Sequence, residues 1–226
     1  MKNRRLLAIS VLLLVVWFLM VKPNGETRVI FCNVDQGDGA VVIKNNFQMV
    51  IDAGPGNGKM ASCLGKYVPF WDKKIEVFVA SHGDKDHVGG LEMIKKSYRI
   101  EKELTFENFS YGDIILADGI EFRVLGSNEL SLIGVLKYDN KSFLFMGDAA
   151  INEELMVNQE VDVLKVGHHG SATSTGESLL DRIKAKVAVI SVGKNSYGHP
   201  SEIVMDRLKN RGIEIKRTDL EGDIIF

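Results

Sequence analysis

The sequence predicts an α/β chain of the α+β kind, built on two β-sheets flanked by helices. Three observations lead there. Three apolar, β-branched runs follow one another early, at Arg28 to Val34, Ala40 to Lys44 and Phe47 to Asp52, with only short turns between them. Helix-like and strand-like segments then alternate through the last quarter of the chain. Finally, a turn crowded with histidine and aspartate leaves the end of an apolar run, Ile75 to Ala80, where a rigid strand end would hold it.

The elements are read in order as follows. Met1-Lys2-Asn3-Arg4-Arg5 is a basic start, and in the sixteen residues from Leu6 to Val21 only Ser10 is polar. At about 1.5 Å per residue that stretch reaches roughly 24 Å, a little short of the ~30 Å hydrocarbon core, and Trp17 and the flanking charges would sit at the interface. No small-residue cleavage pattern precedes Lys22, where Trp17, Phe18, Leu19 and Met20 stand, so an uncleaved signal anchor is expected rather than a removed peptide. With the basic flank inside, the sequence predicts a single-pass protein of the cytoplasmic membrane, its catalytic domain outside, or secreted if the segment is cleaved. The expected organisation is an N-terminal transmembrane anchor over 1–22, a short linker over 23–27 and one domain over 28–226.

That domain opens as a meander turned at Gly37-Asp38-Gly39 and Asn45-Asn46. Lys59 to Tyr67 reads as helix, Ile75 to Ala80 as a strand buried on both faces, and Leu91 to Tyr98 as helix with Leu91, Ile94 and Tyr98 on one side. Asp113 to Leu116, Ile120 to Leu125, Leu132 to Tyr138 and Ser142 to Met146 are strands joined by tight turns, so each half is expected to supply an antiparallel sheet. Asn152 to Val157, Val161 to Val166, Glu177 to Ile183, Val187 to Val192, Glu202 to Lys209, Glu214 to Lys216 and Ile224 to Phe226 complete the alternation of helix and strand.

Composition fits one globular domain, since 45% of residues are hydrophobic, only four are proline and no low-complexity segment occurs. Beyond residue 22 the chain carries 24 basic and 30 acidic residues, a net charge near −6. This excludes a broad basic surface for nucleic acid and leaves a local basic groove, around Lys165, Lys194 or Lys95-Lys96, together with metal ions, to attract a polyanion. Cys32 and Cys63 lie in a strand-like and a helix-like run, and the sequence leaves their pairing open.

The chemistry concentrates at Ser81-His82-Gly83-Asp84-Lys85-Asp86-His87-Val88-Gly89-Gly90. Imidazole and carboxylate together suit zinc, manganese or iron; His82, Asp84 and Asp86 alternate so that they can project towards one point, while His87 can serve a second ion. A solvated loop with capping aspartates is the plainer reading. Against it, the five histidines of the chain fall in three clusters, His82/His87, His168-His169 and His199. Asp148 follows the Phe143-Leu144-Phe145 run and could bridge two cations with its two oxygens. His168-His169 ends another strand, where neighbouring side chains diverge, so one would be a ligand and the other would face substrate or a carboxylate. His199 lies in a Gly-Pro-framed loop before a helix for which Ser201 is a plausible N-cap.

Taken together, Ser-His-x-Asp-x-Asp-His-x-Gly-Gly at 81–90, Gln-Gly-Asp at 36–38, Ile-Asp-x-Gly-Pro at 51–55, Gly-Asp at 147–148, His-His-Gly-Ser at 168–171 and Tyr-Gly-His-Pro at 197–200 resemble the metallo-β-lactamase-fold domain of ComEC competence proteins. The resemblance runs over residues 28 to 226. It implies an αββα four-layer sandwich, a dinuclear centre holding two divalent ions (zinc or manganese), and a hydrolase, most often of phosphodiesters; in ComEC itself the domain is thought to degrade a DNA strand. It implies metal ligation by His82, Asp84, Asp86, His87, Asp148 and His168, with His82 and Asp84 on one ion, Asp86, His87 and His168 on the other and Asp148 bridging. His169, His199 and Asp86 would serve catalysis, and Ser171 and Tyr197 would bind substrate. The implied partners are nucleic acid or another phosphodiester and, through the N-terminal helix, the membrane; no obligate protein partner is implied.

The sequence departs from that pattern in places. The wider superfamily has histidine where Asp84 stands and a further ligand histidine between Val88 and Gly167, a span without histidine here. Asn128, Ser131 or water is expected in the vacant position, and an oxygen-rich site favours manganese. Asn33 and Asp35 replace the family's usual Asp and Gly. The channel helices of the uptake protein do not occur in this sequence, so a DNA-uptake role is not carried by the module alone. Two other readings stand beside the nuclease: hydrolysis of a cell-envelope ester or phosphodiester, and a non-catalytic module that binds metal or phosphate polymers.

Overall fold

The structure is a computed structural model that describes residues 10–11, 25–128 and 131–226. Two mixed sheets face each other. The first joins β1 (Thr27–Phe31), β2 (Gly39–Lys44), β3 (Phe47–Ala53), β4 (Lys74–Ala80) and β5 (Arg99–Thr105), with the last strand, β13 (Ile224–Ile225), beside β1. The second runs in the order β12 (Glu214–Arg217), β11 (Val187–Ile190), β10 (Val163–Lys165), β9 (Lys141–Phe145), β8 (Ser131–Tyr138), β7 (Ile120–Asn128), β6 (Ile114–Ala117).

Alternation within the strands builds the layers. In β2, Ala40 and Val42 turn towards the second sheet while Val41 and Ile43 turn outward; in β9, Phe143 and Phe145 point between the sheets and Leu144 points away. Strands buried on both faces need cover on both. Helix Lys59–Tyr67 buries Met60, Cys63 and Leu64 on the outside of the first sheet, and Ile94 of helix Leu91–Lys95 joins them. Helices Glu177–Ile183 and Glu202–Asn210 bury Leu179, Leu180, Ile183, Val204 and Leu208 on the outside of the second. Ser201 caps the latter helix, its Oγ accepting from the Val204 amide at 3.4 Å.

The sheets are mixed where all-antiparallel sheets were expected. β3, β4 and β5 pair in parallel, as do β9 to β12, because a helix or long connection returns the chain to the same end before each new strand. β5 carries no apolar alternation: its Arg-Ile-Glu-Lys-Glu-Leu-Thr sequence is an exposed, charged edge, a composition that discourages further pairing and hides a strand from pattern reading. The helix expected at Asn152 to Val157 is a 3₁₀ turn, Glu153–Met156, in which the Glu153 carboxylate accepts from the Ala150 amide at 2.7 Å and Glu154 reaches across to the Thr175 and Gly176 amides.

The expectation of a membrane-anchored chain is corrected here. Among the described residues no helix is long and apolar enough to cross a membrane. The apolar run itself, Ser10 and Val11 aside, lies outside the described residues, as does most of the anchor-and-linker assignment.

Cys32 and Cys63 form a disulfide between the residue after β1 and helix Lys59–Tyr67, 31 positions apart. Closing a loop of that length restricts the unfolded chain, so replacing both cysteines by serine is expected to cost about 3–4 kcal/mol, read as a lower urea midpoint with a steeper slope, because the freed unfolded chain exposes more surface.

Candidate metal centre

Asp52 is the last residue but one of β3, β4 runs into Ser81 and His82, β9 into Asp148, β10 into His168 and His169, and β11 into Ser191. These are carboxyl ends of the parallel-paired strands, and their side chains meet across the two sheets. Close approach demands glycine at two points. Gly147 has φ 50°, and a Cβ there would lie 2.4 Å from Ser131 Oγ; Gly37 has φ 144°, and a Cβ would lie 2.4 Å from the Asp86 carbonyl. The Asp38 amide, next to Gly37, donates to that same carbonyl at 3.0 Å, tying the first loop to the short helix Lys85–Val88 that carries Asp86 and His87.

Three buried imidazoles share one arrangement. The Ser81 hydroxyl donates to Asp52 Oδ2 at 2.7 Å, which leaves its oxygen to accept from His82 Nδ1 at 3.0 Å. His87 Nδ1 donates to Asp52 Oδ2 at 2.9 Å. His169 Nδ1 donates to the Ser191 carbonyl at 3.0 Å and lies 3.2 Å from Asp38 Oδ1. With each Nδ1 occupied by an acceptor, all three Nε2 atoms turn towards Asp148; those of His82 and His87 have no hydrogen-bond partner, and that of His169 meets Asp86.

Asp148 sorts them by oxygen. Oδ1 lies 3.3 Å from His87 Nε2 and 3.9 Å from His169 Nε2, while Oδ2 lies 3.6 Å from His82 Nε2 and 3.7 Å from His168 Nε2. On the first side Asp86 Oδ2 stands 3.1 Å from His169 Nε2; on the second, the exposed Asp84 reaches to 3.7 Å from His82 Nε2. His82 Nε2, His87 Nε2 and Asp148 Oδ1 are buried without a hydrogen-bond partner. Buried polar atoms left without a partner are rare in folded proteins, and here they converge. Two of the closest donor groups are His82, His87, Asp148 and Asp86, His87, His169, and the residues present therefore fit divalent cations.

The neighbours His168 and His169 part because both take left-handed backbone, φ 47° and 52°. Their rings sit 6.2 Å apart at 74°. Two successive non-glycine residues in that region cost about 1–2 kcal/mol each, strain of the sort concentrated at functional sites.

Charge explains the rest. Burial would lower the His87 imidazole, but Asp52, with Asp148 and Asp38, overrides this and raises it well above its ordinary value; His169 is raised to about 9 against the same burial, chiefly by Asp38. His82 is lowered by burial and by neighbouring His87. Burial pushes Asp148 up, yet His87 and His169 bring it down to about 2, and Lys165 and His169 hold Asp38 far below the carboxylate range. Carboxylates crowd these imidazoles strongly enough to favour added positive charge, so protons compete with metal ions for the same nitrogens.

The remaining expected site residues are placed as follows. His199 lines the cleft above the donors with its ring 5.5 Å from His168 and its Nδ1 unpartnered; burial first, then His168 and His169, lower its pKa. Tyr197 lines the same cleft, which measures about 390 Å³. Ser171 is buried, its Oγ 2.9 Å from Thr173 Oγ1 and its amide donating to the His168 carbonyl. Ser131 is buried behind Gly147, donating to the Met146 carbonyl at 2.7 Å. Lys165, expected in a surface groove, is internal: it is 3% exposed, with Nζ 2.7 Å from Asp38 Oδ2. Lys95 is held by Glu92 and Glu103, whereas Lys85 lines the cleft.

Asp52, Asp38 and Ser81 received no role from the sequence. Their signal was present, since each is a short polar residue at an apolar strand end or tight turn, but the groups that Asp52 and Asp38 hold lie far along the chain, and Ser81, beside His82, is itself set by Asp52 from 29 positions away.

Comparison with known proteins follows this geometry. Residues 112–194 match the model of the metallo-beta-lactamase superfamily. ComE operon protein 3 of Bacillus subtilis is 28% identical over 94% of this chain and 34% of its own length. Recombination protein 2 of Haemophilus influenzae is 30% identical over 90% of this chain and 29% of its own. The chain thus spans about a third of the length of these curated relatives. The metallo-beta-lactamase fold protein YhfI from Bacillus subtilis superposes with a TM-score of 0.65 at 10% identity, covering 89% of this chain and 99% of that one, a likeness of fold. Two sheets with helices and donors gathered at their strand ends agree with the metallo-beta-lactamase superfamily match over residues 112–194, and the chain is similar over most of its length to ComE operon protein 3 and Recombination protein 2.

Proposed function

We propose that the domain is a divalent-metal-dependent phosphodiesterase that cleaves nucleic acid. The observation that carries this reading is the set of three imidazoles, each pinned at Nδ1 and aiming Nε2 at the two oxygens of Asp148. Asp86, His87 and His169 would hold one ion against Oδ1, His82, Asp84 and His168 the other against Oδ2; His168 would then stand in for the histidine the sequence lacks. Manganese or zinc suits such a mixed nitrogen and oxygen set. When bound, divalent cations in such a site supply Lewis acidity towards water and phosphoryl oxygens.

The chain's own groups do the positioning. Asp52, Ser81 and Asp38 fix the imidazole tautomers and orientations. His199, whose imidazole is kept neutral by burial and by His168 and His169, can donate a hydrogen bond from one ring nitrogen to a leaving oxygen or accept a proton at the other. The cleft walls are carboxylates, imidazoles, Lys85, Gln36 and Tyr197, with Pro55 apolar among them. That surface offers little hold to an apolar ester and many contacts to a phosphodiester. The recombination in the name of the Haemophilus influenzae relative points to nucleic acid.

The test is degradation of single- and double-stranded DNA by the full chain with manganese or zinc across a salt series. Cleavage of single strands is expected to weaken with salt at a slope of about −0.7 per phosphate contacted in a log–log plot. A metal-loaded chain that cleaves neither strand type, or cleaves with no dependence on salt, overturns the nuclease reading.

A further inference from the structure

We infer that Tyr197 is a stacking platform for a nucleobase next to the scissile phosphate, and that Asn195 is its positioning residue; the inference rests on the phosphodiesterase reading. Tyr197 is 74% exposed at the cleft wall, in the connection between β11 and helix Glu202–Asn210. An aromatic ring left in water forfeits the burial that such side chains normally gain. On a loose loop this would mean little.

The loop is not loose. Asn195 Nδ2 donates to the Gly193 carbonyl at 2.9 Å and to the His199 carbonyl at 2.8 Å, and its Oδ1 accepts from the Tyr197 amide at 3.1 Å and the His199 amide at 3.0 Å. An asparagine side chain has two N–H donors and two carbonyl lone pairs, so a single residue spends its entire hydrogen-bonding capacity on tying residues 193 to 199 into one knot. The exposed ring is therefore presented in a set position, and a ligand that meets it has little ordering left to impose.

Its position relative to the donors identifies the ligand. The Tyr197 ring lies 5.7 Å from that of His199 at 32°, the His199 ring lies 5.5 Å from that of His168, and His168 Nε2 lies 3.7 Å from Asp148 Oδ2. A row of rings thus leads from the lip of the cleft to the donor cluster. A phosphodiester seated at Asp148 carries its next substituent along that row. In a nucleic acid this substituent is a sugar bearing a flat base, and every base has a face that stacks on an aromatic ring whatever its identity. A polyol or glycan phosphate has no flat group there.

The experiment compares cleavage of a short single-stranded oligothymidylate with that of an abasic strand of the same length and backbone, using the full chain with manganese. Wild type is expected to favour the base-bearing strand by about 5- to 150-fold, in KM rather than kcat. In Tyr197→Ala that preference falls to within about twofold; in Tyr197→Phe, which keeps the ring, it persists. Asn195→Ala keeps the ring but frees the loop, and lowers the preference partway. If Tyr197→Ala retains the full preference, or wild type cleaves both strands alike, the platform is overturned and the phosphodiesterase stands. Full preference in Asn195→Ala removes the positioning role, and cleavage of neither strand by wild type sinks both readings.

Discussion

His87→Ala and Asp148→Ala are each expected to empty the centre of metal and to slow hydrolysis of bis-p-nitrophenyl phosphate about a thousandfold, the equivalent of losing about 4 kcal/mol of charge stabilisation. His87 belongs to every one of the tightest donor groups among the described residues, and Asp148 offers one oxygen to each side of the cluster. His87 itself faces Oδ1, with its ring 3.9 Å from that of His82 and 5.3 Å from that of His169. Elemental analysis of the purified variants measures the metal, and circular dichroism establishes that the fold survives. Normal metal content and rate in both variants would sink the assignment. Asp52→Asn makes a graded companion, since it keeps every donor but removes the carboxylate that orients His87; metal affinity is expected to fall about 10- to 100-fold.

Lys165→Met carries the largest expected effect on stability, a loss of about 3–5 kcal/mol. The Lys165 ammonium and the Asp38 carboxylate are buried together, 2.7 Å apart, and removing the ammonium takes away the nearest cation of a buried carboxylate and leaves His169, at 3.2 Å, as its close partner. The sign with pH follows from Asp38. Burial raises its carboxyl, but Lys165, followed by His169, outweighs this and holds it far below the carboxylate range. The stabilisation is therefore present above the unfolded value of about 3.9 and is lost only as pH falls through the much lower folded value. Urea unfolding of the metal-free protein at neutral pH reads the effect. Adding Asp38→Leu to Lys165→Met is expected to restore most of the loss, because a buried pair exchanged for apolar groups is close to neutral. A single variant as stable as wild type would show that the charge is not confined as the structure draws it.

Lys165 also shows how far the sequence could be read. Next to the His168-His169 cluster it looks like a surface cation placed for a polyanion, because no local pattern distinguishes a lysine that faces solvent from one that turns inward onto a carboxylate 127 positions earlier. The cluster residues themselves were legible, since four ligand-type side chains within six residues at the end of a β-branched run have few structural uses. Their partners were not. Asp52 holds His87 across 35 positions and Asp86 meets His169 across 83, separations over which sequence periodicity carries no information.

What the sequence determined by itself was local: apolar strands with period-two burial, the helices at Lys59–Tyr67, Glu177–Ile183 and Glu202–Asn210, the turns between them, and three histidine clusters at strand ends. These follow from neighbours within a few residues, where sterics and burial act directly on the pattern. Strand direction, the disulfide between Cys32 and Cys63, the charged edge at β5 and the turning of His168 and His169 towards opposite oxygens of Asp148 were decided only when distant segments paired into sheets and packed on them, and the burial of Lys165 only when the two sheets closed on each other. Each depends on which distant group lies opposite, and tertiary packing is what brings those groups within reach of bonds and Coulombic forces.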